Sequence, residues 1–356
     1  LGDVYKRQAL PRPVDALHAL LPVVPHENTA AVETAGKQAQ LQGLRLGYCA
    51  RVLELLRLVQ GARPARLTAR AGIVVLNLID GLLLLDGAFK PDSQVAEVGG
   101  GSVVAFTERA PDKDTENEDT IAVIPWGPES VVMVVADGAG GLPAGKRASL
   151  TAVSSLVEAL SVAMSETVVL RTAILDGIEA ANEAVMRLSN GSATTMTVVT
   201  IEGQIARSYQ IGDSEALVVG QRGRVKLQTT AHSPTGFAVE AGFLDEREAL
   251  HHAERHLVSN FLGTSDMKID IGAPVELRPR DTVLLASDGL MDNVHIHETI
   301  EHIRKGPADA AVDAVVDLAR RRMQANNSKE PSKPDDLSLI LYRKRRPARR
   351  NSRGTS

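Results

Sequence analysis

Two long helical periodicities, residues 145–164 and 167–188, follow one another directly between two blocks of strand-like runs. That order constrains the fold more than any other feature of the chain. A doubly wound parallel sheet needs strand and helix to alternate, because each parallel pair requires a crossover. Here runs rich in Val, Ile and Thr precede the helices at 102–107, 120–125 and 131–136. More follow at 194–201, 204–211, 215–220 and 282–286, then a helical stretch at 307–325 and a last strand at 337–342. The pattern predicts antiparallel sheets with helices packed outside, an α+β domain of about 250 residues.

Composition sets the outer limits. With 356 residues, 44% hydrophobic and 24% charged, the chain has room for one large domain or two ordinary ones in a soluble globular class. Aromatic residues make up only 3%, so the core falls to Val, Leu, Ile and Ala. Cys49 is the only cysteine, which excludes an intrachain disulfide and a cysteine-based zinc cluster. A reducing, cytoplasmic location is expected. The net charge of −4 hides an uneven distribution: residues 343–354, "RKRRPARRNSRG", hold seven of the 40 basic side chains. The body is therefore acidic, and the run is read as a solvated, disordered tail over 344–356 with no specific nucleic-acid role.

The N-terminal segment, residues 1–95, is patterned differently. Its opening "LGDVYKRQ" resembles translated adapter sequence and is set aside from fold reasoning. The apolar stretch at 71–88 is interrupted by Asp80 and Asp86, short of the ~20 clean residues that span a bilayer, and reads as a helix or a non-native translation. No membrane span is expected. The well-patterned domain is placed at 96–343.

The stretch "VVMVVADGAGGLPAGKRAS" (131–149) carries two competing signals. From Gly140, the spacing G-x-x-x-x-G-K approaches a phosphate-cradling P-loop. That motif needs Ser or Thr after the Lys, and Arg147 stands there; Pro143 also removes a backbone donor. From Asp137, the same stretch is a strand delivering a carboxylate and a glycine to its end. "LLASDG" (284–289) repeats that arrangement around Asp288. Glu118 and Asp119 precede a strand, Asp213 ends one, and Asp335 and Asp336 precede the last. Acids gathered in this way require a cation or a proton between them. An oxygen-only set favours Mg²⁺ or Mn²⁺.

The ordered set "NED", "ADGAGG", "TT", "GDSEA", "VEAG", "ASDGLMDN" and "DDLSLIL" resembles the bacterial metal-dependent type 2C Ser/Thr protein phosphatases over roughly residues 98–343. The resemblance implies an α-β-β-α sandwich with a dinuclear Mn²⁺ or Mg²⁺ centre at one end. Asp137 would bridge both metals, with the Gly138 carbonyl on one of them; Asp288 and Asp335 would complete the other. Asp119, with Glu118 beside it, would hold metal-bound water, and Asp213 would help bind a third, weaker ion. The implied reaction is hydrolysis of phosphoserine and phosphothreonine on proteins, by in-line attack of water without a covalent intermediate.

Against the family pattern, Ala139 stands where many members have His or Met, and Asp335-Asp336 replaces the usual Asp-Asn. Arg109 is the best match for the phosphate-binding Arg, with Lys113 as its substitute. All expected ligand positions remain acidic, which favours an active enzyme over a regulatory pseudophosphatase or a P-loop nucleotide-binding module. A monomer acting on phosphorylated proteins opposite a Ser/Thr kinase is expected. His251, His252 and His256 are read as lying on a solvated helix, and His295 and His297 as surface.

Overall fold

The computed structural model describes residues 83–85, 94–139, 144–188, 191–325 and 330–345. The adapter-like opening and the basic run beyond 345 lie outside the described residues. Within them, runs of Val, Ile, Leu and Ala build strands β3 (Gly101–Glu108), β4 (Thr120–Gly127), β5 (Ser130–Ala136), β8 (Met196–Glu202), β9 (Ile205–Ile211), β10 (Glu215–Val219), β14 (Thr282–Ala286) and β15 (Leu337–Lys344).

Among the described residues these strands form two large antiparallel sheets. One has the order β1-β4-β5-β8-β9-β12, where β1 is Leu83–Leu85 and β12 is Asp270–Ile271; β13 (Val275–Glu276) also pairs with β9. The other has the order β11-β10-β14-β15-β3-β2, where β11 is Val225–Gln228 and β2 is Gln94–Val98. The strand at Leu83–Leu85 corrects the helical reading of the 71–88 stretch for those three residues. It hydrogen-bonds to β4 in antiparallel register, Leu84 opposite Ala122.

Antiparallel strands commonly alternate apolar and polar residues because one face meets water. Here the central strands are apolar throughout because both faces are covered. On β5, Val131, Met133 and Val135 point between the sheets, while Val132, Val134 and Ala136 point outward beneath the helices. On β14, Val283 and Leu285 face the inner layer and Leu284 and Ala286 the outer one.

The outer face of the first sheet is covered by α1 (Ala144–Ser165) and α2 (Leu170–Met186). The second is covered by α5 (Asp288–Met291), α6 (Ile296–Ile303) and α7 (Ala308–Met323). The result is the α-β-β-α sandwich that the sequence led us to expect. Helix α1 is long and apolar enough to cross a bilayer, but its Ala152, Leu156, Val157 and Leu160 are buried against the sheet and α2.

Between β11 and β12 the chain forms α3 (Pro234–Glu240) and α4 (Glu246–Ala249). Ser233 caps α3 by accepting from Gly236 N at 2.9 Å, and Asp245 and Glu248 form a capping box on α4.

Candidate metal centre

Strand β5 ends at Ala136, and Asp137 follows it out of the sheet. Its backbone is held on both sides. The amide donates to Thr195 Oγ1 at 3.0 Å, and the carbonyl accepts from Thr195 N at 2.8 Å and Thr194 Oγ1 at 2.7 Å. The two threonines of the "TT" motif therefore orient the first Asp. β6 (Gly138–Ala139) then pairs with β7 (Ala193–Thr194). Strand β14 ends in the same way and delivers Asp288 to the first turn of α5.

The glycines of both Asp-Gly pairs serve close backbone approach. Neither has a positive φ. A Cβ on Gly138 would lie 2.2 Å from the Gly145 carbonyl oxygen, and one on Gly289 would lie 1.9 Å from the Asp336 carbonyl oxygen. Gly145 thus belongs to a contact between α1 and β6. Gly289→Ala is expected to destabilise the fold by about 3 kcal/mol, at the upper end of overpacking effects. Urea unfolding measures this, and a change below about 0.5 kcal/mol would show that the backbones part easily.

The acids named from sequence converge. Asp119 is fully buried; Ser287 Oγ donates to its Oδ2 at 3.0 Å, while Oδ1 has no hydrogen-bond partner. Burial, and then the charges of Asp336 and Asp288, raise its pKa well above the carboxylate range. Asp137 keeps part of its surface open. Desolvation and the charges of Asp119, Asp288, Asp335 and Asp213 nevertheless raise its pKa strongly. Burial, followed by the Asp288 charge, pushes Asp213 up to about 8 and Asp335 up to about 6. Such shifts on neighbouring carboxylates mark a site short of positive charge.

Two residues of the site, Asp292 and Lys333, were not singled out from sequence. Asp292, one turn after Asp288, is pushed up to about 6 by burial and by the Asp288 charge. The i, i+4 spacing in "SDGLMD" was the available signal. Lys333 had none: its ammonium pairs with Asp288, with Asp292 at 2.9 Å and with Asp335 at 3.2 Å.

Asp335 and Asp336 divide their roles. Asp335 faces Lys333, whereas Asp336 is buried the other way and accepts from Ala110 N at 2.8 Å, Glu118 N at 2.7 Å and Lys113 Nζ at 2.6 Å. The extra acid does not simply add charge beside the metal ligands, because Lys113 neutralises it. Lys113 also donates to Glu118 Oε2 at 3.0 Å. Arg109, by contrast, is exposed and donates to the Thr115 carbonyl at 3.4 Å. Of the two candidate phosphate-binding cations, Lys113 is the one set against the site carboxylates.

The other sequence signals fall elsewhere. Lys146 donates to the Asp119 carbonyl at 3.3 Å, joining α1 to the acidic cluster; residues 140–143 lie outside the described residues. His251, His252 and His256 are exposed, as expected, but occupy turns and irregular chain instead of a helix. His295 and His297 stack at 5.4 Å and line a cavity of about 600 Å³ beside Asp213, Asp288 and Asp292.

Whether these residues fit a divalent ion turns on their unpaired oxygens. Glu118 Oε1, Asp119 Oδ1 and Asp288 Oδ1 are buried without hydrogen-bond partners. A buried acceptor of this kind is costly unless a donor or a cation meets it. Among the described residues, no three acidic or imidazole side chains already stand in a ligating array. Three of the carboxylates are instead drawn onto Lys333. The donor chemistry fits Mg²⁺ or Mn²⁺, which prefer oxygen ligands in octahedral sets.

Fold and site together set an α-β-β-α sandwich over a cluster of strand-end carboxylates. The family model for protein phosphatase 2C matches residues 109–327, and the chain belongs to that family. It is 29% identical over 223 residues to a putative protein phosphatase 2C-type of Streptococcus pyogenes, covering 60% of this chain and 90% of that protein. It is 30% identical over 190 residues to protein phosphatase PhpP of Streptococcus pneumoniae, covering 51% of this chain and 76% of that protein. Among solved structures, the serine/threonine phosphatase PstP/Ppp of Mycobacterium tuberculosis superposes with a TM-score of 0.57 at 22% identity, over 68% of this chain and 98% of that one. The PstP catalytic domain in complex with two manganese ions superposes with a TM-score of 0.54 at 22% identity, over 68% of this chain and 96% of that one.

Proposed function

We propose that this chain hydrolyses phosphoserine and phosphothreonine on proteins, using two Mn²⁺ or Mg²⁺ ions held at the acidic end of the sandwich. The observation that carries the reading is the gathering of Asp119, Asp137, Asp213, Asp288 and Asp335 from separate strand ends into mutual electrostatic reach. Asp137 would serve both ions and the Gly138 carbonyl one of them, with Asp288 and Asp335 completing the other ion's ligands. Glu118 and Asp119 would anchor water, and Asp213 would serve a third, weaker site. The ions, when bound, acidify water and neutralise charge on the phosphoryl group.

The chain's own residues do the positioning. Thr194 and Thr195 fix the Asp137 backbone, Ser287 holds Asp119, and Asp336 ties the 110–118 loop to β15. The Lys113 ammonium, with three donors, would take a phosphoryl oxygen while keeping Asp336 as its support. Ala139 offers no proton, so the seryl or threonyl oxygen would leave with a proton from water. The sandwich from β2 to β15 is the catalytic unit in this reading. Its substrates would be the products of Ser/Thr protein kinases, and a cytoplasmic monomer suffices for the work.

The test is release of phosphate from a phosphothreonine peptide with and without Mn²⁺. Turnover is expected only with the metal. Lys113→Ala is expected to raise KM more than about tenfold, the loss of one charge-assisted contact, whereas Arg109→Ala leaves KM within about twofold. Metal-independent turnover, or no turnover in the intact protein, would overturn the reading. The reverse ranking of the two variants would reassign the phosphate contact to Arg109.

A further inference from the structure

Lys333 lies in the loop before β15, in "SKPDD", and its backbone is held at both ends. The buried Asn293 side chain accepts from Lys333 N at 2.7 Å and donates to Lys333 O at 2.8 Å. The preceding carbonyl, that of Ser332, accepts from Arg255 at 3.1 Å. A positioned backbone thus delivers a four-carbon stem into the cluster, where the ammonium meets Asp288, Asp292 and Asp335 at once. A lysine ammonium is ordinarily charged at neutral pH, and three carboxylates around it favour that state.

We propose that Lys333 is an internal counter-cation of the metal site, seated among Asp288, Asp292 and Asp335 until a divalent ion displaces it. This rests on the reading of the acidic end as a site for two divalent ions. Two of the three carboxylates on Lys333, Asp288 and Asp335, are proposed ligands, so ammonium and metal compete for the same oxygens. One ammonium neutralises at most one of three negative charges, so a divalent ion is the better partner once bound. Entry must nevertheless break the existing ion pairs. The stem has an exit, because a fifth of the Lys333 side chain is already open to solvent. A lysine suits the role, since its ammonium is a compact, well-hydrated charge on a flexible chain. The device stabilises the metal-free fold and weakens metal affinity by the same interaction, as linkage requires.

Isothermal titration of Mn²⁺ into the intact protein, wild type and Lys333→Met, tests this. The neutral variant is expected to bind at least one ion about tenfold more tightly or better, and to melt at a lower temperature in EDTA. Lys333→Arg keeps the charge and is expected not to tighten binding. On the wild-type protein, where folding of a variant is not at issue, acetylation of Lys333 followed by mass spectrometry should be slow in EDTA and faster with Mn²⁺. Equal or weaker Mn²⁺ affinity in Lys333→Met, or a reaction rate at Lys333 that Mn²⁺ leaves unchanged or lowers, would overturn the inference while leaving the two-ion reading intact. Failure of both wild type and variant to bind Mn²⁺ would remove the two-ion reading and this inference with it.

Discussion

Asp137→Asn is expected to lower Mn²⁺-dependent turnover of a phosphothreonine peptide by about a thousandfold or more. Metal-borne stabilisation of a phosphoryl transition state is worth several kcal/mol, and each ~1.4 kcal/mol is a factor of ten in rate. The change removes one negative charge from a site whose other acids already crowd one another. It preserves side-chain volume, and the backbone bonds to Thr194 and Thr195 do not involve the altered group. The loss should therefore appear in kcat and in Mn²⁺ affinity, not in folding. With its repulsions relieved, the variant's melting temperature in EDTA should equal or exceed that of wild type. A variant that keeps more than about a tenth of the activity, a loss of only ~1.4 kcal/mol, would show that Asp137 is not the shared ligand.

The second large effect concerns pH and metal together. The unfolded state ionises its Asp residues near 3.8, but the metal-free fold holds Asp292 and Asp335 at about 6 and Asp213 at about 8, with Asp137 and Asp119 also raised. Between those limits the folded state binds more protons than the unfolded state, so stability falls as pH rises. Ionising Asp292, held at about 6 instead of 3.8, costs on the order of 3 kcal/mol. In EDTA, the melting temperature is expected to drop between pH 5 and pH 8. Mn²⁺ rewards the ionised carboxylates and should flatten or reverse that slope. Differential scanning calorimetry at both pH values, with EDTA and with Mn²⁺, measures this. A melting temperature in EDTA that stays level or rises across the interval would contradict the electrostatic picture of the site.

The legible parts of this protein were those where local pattern and tertiary role coincide. β5 reads as a strand from "SVVMVVA" alone, and being buried on both faces only strengthens the signal. Helices α1, α2 and α7 carry an apolar stripe, because each lies against a sheet. Strands β11, β12 and β13 were missed because they are short, lie at or near a sheet edge and are half exposed, so their side chains need not be apolar. The short helices α3 and α4 depend on caps, which spacing alone does not reveal.

The acids were legible for a similar reason. A strand that ends in Asp-Gly or Gly-Asp-Ser delivers its carboxylate to the rim of its sheet, and the sequence shows both the strand and the acid. The chain order of Asp119, Asp137, Asp213, Asp288 and Asp335, together with the antiparallel alternation, was thus determined by sequence. Charge compensation was not. Lys113 meets Asp336 across 223 positions, and Lys333 meets Asp288 across 45. Neither lysine stands in a patterned element, and an ion pair leaves no periodicity in a chain. The same holds for Gly289, whose neighbour is a carbonyl in another strand's approach. The sequence determined which groups reach the end of the sandwich, because strand length and alternation are local. Only the tertiary structure decided which cation faces which carboxylate, because that depends on distances between segments that only folding brings together.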